Sequence, residues 1–230
     1  MATYVLLHGS YQGAWIWKPV SALLSAAGHL VYRPTLDGCA ERKGGLRPEI
    51  TLASHGNEIA NLLFYEDMQD VILVGTSSGG MVVCQAAEHV PERIRRLIFI
   101  DALVPMPGET VATINGRAPY SRAELVYGPL PENARGQIFA DLEPAVQEWA
   151  LARYTRHPLA PTEDPVDLTG FWGRTWQVDV LRCTRSPAPP ETHQRRTAEK
   201  LGGAYAELDA GHYPMLSHPA EVAGYLLERA

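Results

Sequence analysis

The stretch Val71-Ile-Leu-Val-Gly-Thr-Ser-Ser-Gly-Gly80 sets a serine between glycines two positions to either side, after an apolar run and before a segment opening Met81-Val82-Val83. A glycine–x–serine–x–glycine pentapeptide carries chemical meaning where a strand turns sharply into a helix. The turn holds the serine in a strained backbone conformation and lifts its Oγ clear of the sheet. Side chains at positions 75 and 79 would collide in so tight a turn, which accounts for the glycines. The helix start directs free N–H groups at negative charge forming beside the serine. Ser77 is thus a candidate nucleophile for acyl chemistry, provided a base lies within reach.

Two other stretches supply companions. Leu208-Asp-Ala-Gly-His-Tyr-Pro-Met215 puts His212 just past a late apolar run, where the base arrives in the chain order serine, acid, histidine. His8-Gly9-Ser10 follows the first apolar run directly, so a main-chain N–H there can join that of Ser78 as an oxyanion hole. The expected donors are the N–H groups of Ser10 and Ser78, with His8 supporting the loop. The remaining histidines, His29, His55, His89, His157, His193 and His218, show no ligand spacing and read as solvated or capping residues. No His/Cys/Asp/Glu cluster has metal-ligand spacing, so neither metal nor cofactor is expected. Cys39, Cys84 and Cys183 are odd in number and widely spaced, and read as buried free thiols.

Positioning these groups requires strands that end near one another. Tyr4–Leu7, Val71–Val74 and Leu97–Ile100 are continuous apolar runs suited to strands buried on both faces. Leu30–Tyr32, Val178–Leu181 and Tyr205–Leu208 are weaker strand candidates. Helical stretches alternate with them at Trp15–Ala27, Leu52–Leu63, Ser78–His89, Glu191–Leu201 and Ala220–Glu228. This alternation predicts an α/β fold, a mostly parallel sheet flanked by helices, with ligand sites at the carboxyl ends of the strands. Residues 106–176 break the pattern, rich in proline and glycine, with one amphipathic helix around Leu142, Val146, Trp149 and Ala150. They read as a small helical cap inserted before the late strands, and 1–105 with 177–230 as the core of a single domain. Cap aromatics Trp149, Tyr154, Phe171 and Trp172 are expected to line an apolar pocket.

Composition narrows the function classes. A chain of 230 residues, 46% hydrophobic and 20% charged, can bury one substantial core. The net charge of −6 argues against nucleic acid or an anionic membrane as partner. The expected partner is a small-molecule substrate, with a homodimer left open. With no signal-peptide pattern and no apolar run of membrane-spanning length, the chain reads as cytoplasmic. Arginine outnumbers lysine 17 to 3, a bias suggesting a GC-rich bacterial coding sequence.

The motifs together resemble a family, the small plant and bacterial α/β-hydrolases that include methyl esterases and hydroxynitrile lyases. The matching stretches are His8–Trp17, Pro34-Thr-Leu-Asp-Gly38, Val71–Gly80, Ile100-Asp-Ala-Leu-Val-Pro105, Arg182-Cys-Thr184 and Gly211-His-Tyr-Pro-Met-Leu216. They recur in order and span nearly the whole chain outside the cap, implying an α/β-hydrolase fold. Lyases of one stereochemistry in this family carry threonine after the first-loop histidine and lysine after the catalytic one. Gly9 and Tyr213 stand there instead and are esterase-like. The resemblance fails at the acid, where the family has aspartate in a Cys-Thr-x-Asp pattern and this chain reads Cys183-Thr184-Arg185-Ser186. Ser186 can orient an imidazole but cannot stabilise an imidazolium as a carboxylate does. Asp101, at the end of the preceding strand, either replaces that acid or only holds the cap entrance; Glu191 and Asp179 are weaker substitutes. The kept spacing around Ser186 favours a chain that has given up acid assistance. The elbow also departs, with Thr76 and Ser78 where the family has histidine and an aromatic.

The first functional reading is hydrolysis of an ester or acyloxy group of a small, largely apolar molecule through Ser77 and His212. A second is a lyase on the same scaffold, eliminating a carboxylate or cyanide in the tailoring of a secondary metabolite. This chemistry tolerates a missing acid better. A third is a non-catalytic small-molecule-binding protein.

Overall fold

The computed structural model describes all residues, 1–230. Its strands are β1 (Thr3–Leu7), β2 (Leu30–Tyr32), β3 (Val71–Ser77), β4 (Ile94–Ala102), β5 (Val126–Tyr127), β6 (His157–Pro158), β7 (Val178–Cys183) and β8 (Ala204–Leu208). Six form one sheet in the order β2-β1-β3-β4-β7-β8, parallel at every pairing. Each crossover carries helix, as parallel neighbours require. The helices are α1 (Lys18–Ala26), α2 (Leu52–Tyr65), α3 (Gly79–His89), α4 (Val111–Ile114), α5 (Pro144–Leu151), α6 (Ala160–Glu163), α7 (Thr169–Trp172), α8 (Glu191–Leu201), α9 (Pro214–Ser217) and α10 (Pro219–Leu227). No helix is long and apolar enough to cross a membrane.

The side-chain alternation of a strand divides the core in two. Val5, Leu7, Val71 and Leu73 face a cluster completed by α2, α3 and α8, including Ile59, Val83 and Ala198. Tyr4, Leu6, Ile72 and Val74 face the opposite cluster, completed by α1 and α10 through Val20, Leu24, Val222 and Leu226. Both faces of the central strands are therefore covered, and this is why they read as unbroken apolar runs. Each such side chain contributes about 1.5–3 kcal/mol by leaving water. That depth of core is what can hold strained strand ends in place.

Between β4 and β7 the chain leaves the sheet. α5 forms where the amphipathic pattern predicted a helix, but the insertion is not wholly helical: β5 and β6 pair antiparallel, Tyr127 opposite His157. Two-residue strands carry no readable alternation, so the sequence pattern gave no sign of this ribbon. All three cysteines are free and buried.

Candidate active site

Ser77 closes β3, and α3 begins two residues later. Its φ is +52°, the left-handed region that a serine enters only when the surroundings enforce it. The enforcement is visible at Gly79, where a Cβ would lie 2.5 Å from the carbonyl oxygen of His8. Gly9 serves the same close approach from the other side, because its Cβ would lie 2.5 Å from that of Ser77. The first loop and the elbow are thus pressed together.

This packing brings Ser10 and Ser78 to one place. Neither main-chain N–H donates to another main-chain group of the protein, and their side-chain oxygens lie 2.8 Å apart. His8 beneath them is fully buried, its Nε2 accepting from Leu36 N at 3.0 Å while Nδ1–H donates to the Gly9 carbonyl at 2.9 Å. Burial pushes the His8 pKa down to about 4, so it is a neutral strut of the loop.

His212 follows β8, and its Nδ1 lies 2.6 Å from Asp101 Oδ2. A carboxylate can only accept, so Nδ1 carries the hydrogen and Nε2 is left as the basic nitrogen. Asp101 is wholly buried near the end of β4 with φ +46°, a second strained position that turns its side chain towards the imidazole. Its other oxygen accepts from Gln194 Nε2 at 2.8 Å and from Cys183 N at 3.3 Å. The carboxylate is therefore held by three donors, from β7, from α8 and from the loop after β8.

Ser186 also reaches the imidazole. Its hydroxyl donates to the Ala188 carbonyl at 2.8 Å and its oxygen lies 3.2 Å from His212 Nδ1. The Nδ1–H is shared, with Asp101 the closer acceptor. This corrects the expectation that the chain has given up an acid at the imidazole: a carboxylate is there, supplied from β4 rather than from the β7 loop. Glu191 opens α8 and Asp179 lies within β7, engaged by Arg96 and Arg229; neither approaches His212.

Ser77 and His212 border one open cavity of about 140 Å³. Leu103, Val111, Ala188 and Pro189 give it aliphatic walls, and Tyr11, Tyr120 and Tyr127 aromatic ones. Asn115 and Arg117 add polar groups, with Arg117 anchored on buried Glu163 at 2.5 Å. The aromatic residues expected here from the sequence lie elsewhere. Trp149 packs on Trp15, Tyr154 on Tyr11, and Phe171 on Trp172 and Trp176.

Three histidines read as solvated or capping are instead buried: His55, His157 and His193. Each has a ring nitrogen with an internal partner, such as Val104 N for His193 Nε2 at 2.9 Å and the Asp37 carbonyl for His55 Nε2 at 2.9 Å, while His55 Nδ1 is buried without one. Burial lowers the pKa of all three, that of His193 to about 4.

Two residues escaped the sequence reading. Gln194 had a signal: it lies on the inward stripe of α8 with Thr197, Ala198 and Leu201, and a polar residue on a buried stripe asks for a partner. Tyr127, whose hydroxyl lies 2.6 Å from Ser10 Oγ, had none.

A wholly parallel sheet with a serine elbow, a histidine after its last strand and a buried carboxylate defines an α/β-hydrolase. The chain belongs to the alpha/beta hydrolase family, whose profile matches residues 4–225. It is similar to the carbendazim hydrolyzing esterase of Nocardioides sp. (strain SG-4G), 30% identical over 240 residues, covering 97% of each chain. It is 31% identical over 253 residues to the polyneuridine aldehyde esterase of Rauvolfia serpentina, covering 98% of this chain and 94% of that one. In fold it is similar to an extracellular alpha/beta-hydrolase from a Paenibacillus species, with TM-score 0.84, 22% identity and coverage of 99% and 98% of the two chains. The chain is a carboxylic ester hydrolase-like enzyme of this family, and its relatives also include an alpha-hydroxynitrile lyase from Arabidopsis thaliana.

Proposed function

We propose that the protein hydrolyses the ester bond of a small, largely apolar organic molecule by covalent catalysis at Ser77. His212 Nε2 takes the proton as Ser77 Oγ adds to the carbonyl carbon. The carbonyl electrons move to its oxygen, which the N–H groups of Ser10 and Ser78 receive. As the tetrahedral centre collapses, the C–O bond to the alcohol breaks and His212 returns the proton to the leaving oxygen. Water, deprotonated by the same nitrogen, then cleaves the acyl-enzyme to the free acid. Asp101 holds the imidazole in the working tautomer and stabilises its cationic form.

The observation that carries this reading is the 2.6 Å contact between Asp101 and His212, on an imidazole that shares a cavity with the left-handed Ser77. Elimination through the same Ser–His pair tolerates a missing carboxylate better than acyl transfer does, and Asp101 beside His212 therefore favours hydrolysis of the two. The cavity supports substrates whose reacting part is small. Arg117, the one charged side chain on its wall, favours an acceptor group on the bound molecule.

The test uses a short-chain activated ester and one acyloxy substrate able to follow either route. A fluorophosphonate should label Ser77. Ser77→Ala should lose both labelling and all but about a hundredth of the turnover or less while still melting cooperatively. The acyloxy substrate should give alcohol and acid. Alkene and acid would make the enzyme a lyase, and unlabelled Ser77 would overturn the nucleophile assignment.

A further inference from the structure

Gln194 is buried on the inward stripe of α8, with 1% of its surface exposed. Its Nε2 lies 2.8 Å from Asp101 Oδ1 and 3.1 Å from the Pro189 carbonyl oxygen. A carboxylate and a peptide carbonyl only accept, so both hydrogens of the amide nitrogen are assigned by their partners. The other amide atom, Oε1, is buried with no partner among the protein's groups. A buried acceptor left unpaired lowers stability, and an apolar side chain of the same length would fill this place without that loss. Packing therefore does not account for a glutamine here; the two donated hydrogens do. α8 itself is fastened to the chain beyond β4, where Arg196 grips Glu109 through bonds of 2.7 and 2.8 Å. The donor thus comes from a fixed element and meets Asp101 at φ +46°, a backbone conformation that persists only where its surroundings hold it.

We propose that Gln194 is a positioning residue for the reaction: it fixes the Asp101 carboxylate so that Oδ2 faces His212, and ties that carboxylate to the wall of the cavity. This rests on the Ser77 and His212 reading above and deepens it. Gln194 and, at 3.3 Å, Cys183 N both donate to Oδ1. Rotating the carboxylate would break those bonds, so Oδ2 is kept for His212 Nδ1 at 2.6 Å. A carboxylate already in place when the imidazole turns cationic needs no reorganisation at that moment. The second hydrogen reaches Pro189, which with Ala188 lines the cavity beside Ser77 and His212. Acid and cavity wall therefore share one clamp. The same clamp dictates what an amide does at position 101: its carbonyl oxygen stays with Gln194 and Cys183 N, and its NH2 is turned against the Nδ1–H.

The test is Gln194→Met, which keeps the length of the side chain and removes both hydrogens. Thr197→Val serves as a packing control on the same stripe, since Thr197 is equally buried and its hydroxyl donates to the His193 carbonyl within α8. Gln194→Met should lower kcat on an activated ester on the order of 10-fold, the scale of a lost hydrogen bond to a charged group, with KM little changed. Thr197→Val should leave kcat within about twofold, whatever either change does to the melting temperature. Added to Asp101→Asn, the Gln194 change should cost nothing further, because it frees the amide to turn its carbonyl towards the Nδ1–H. The proton resonance of His212 Nδ1–H should shift in Gln194→Met and stay in place in Thr197→Val. A merely structural role would instead lower both rates in step with the melting temperature and add to the Asp101→Asn loss, and that pattern would refute the proposal. Gln194→Met with wild-type kcat and an unmoved resonance would also overturn it, leaving the nucleophile intact where a fluorophosphonate labels Ser77. Absence of labelling in the wild type would overturn the reading beneath it.

Discussion

β4 and β7 lie side by side in the sheet, Ile100 opposite Leu181, and the chain beyond each reaches the same imidazole nitrogen. From β4 comes Asp101, 2.6 Å away, with no exposed surface and two further donors on its second oxygen. From the β7 loop comes Ser186, 3.2 Å away and half-buried, its hydrogen given to a nearby carbonyl. One neighbour can balance a positive charge on the ring and the other can only orient it. The loop that kept the family spacing lost the charge, and the neighbouring strand end holds it. Both strand ends open onto one imidazole, so a side chain beyond either can reach its Nδ1.

The comparison breaks first at Asp101. Asp101→Asn keeps the shape but brings an amide N–H against the Nδ1–H. It should reduce kcat by about 10⁴-fold, the scale of a neutralised triad aspartate, as measured on an activated ester with the melting temperature followed alongside. A loss under tenfold would mean that the strand-end carboxylate only holds the fold.

A carboxylate restored at the family position sharpens the contrast. Adding Ser186→Asp to Asp101→Asn should recover on the order of 10-fold, a coupling typical of residues sharing one partner. The same change in an otherwise unaltered chain should give no gain, because two carboxylates would then crowd one nitrogen and repel. Steady-state rates of the four chains complete the cycle, and equal effects in both backgrounds would show that the positions do not compete.

The smallest effect belongs to the serine itself. Ser186→Ala removes a neutral hydrogen bond that is the longer branch of a shared one, and should cost about threefold or less in kcat/KM.

These differences bear on how far the residues alone could be read. The sheet was legible because strands covered on both faces need unbroken apolar runs, as Val71–Val74 and Leu97–Ile100 show. That Ser77 and His212 border one cavity was legible because a tight turn demands glycines at 75 and 79 and because His212 directly follows a late strand. The carboxylate at His212 was not, since the kept spacing points to Ser186 and the approach of Asp101 depends on a strand end bent to φ +46°. Nor was the cavity wall. Its tyrosines come from the first loop, from the irregular stretch after α4 and from a ribbon too short to show a period, while the larger aromatics pack against the body of the protein. Buried histidines such as His193 were misread because their partners are backbone groups far off in the chain. What a short-range pattern dictates can be read; what depends on two distant segments meeting cannot.

Which group accepts the His212 Nδ1–H decides where the acid lies, and proton NMR observes that hydrogen directly. The wild-type protein should show a far-downfield exchangeable resonance coupled to a ring nitrogen of His212. Ser186→Ala should leave it nearly unmoved, and Asp101→Asn should abolish it or shift it strongly upfield. A resonance that survives Asp101→Asn and disappears in Ser186→Ala would contradict the assignment of the acid to β4.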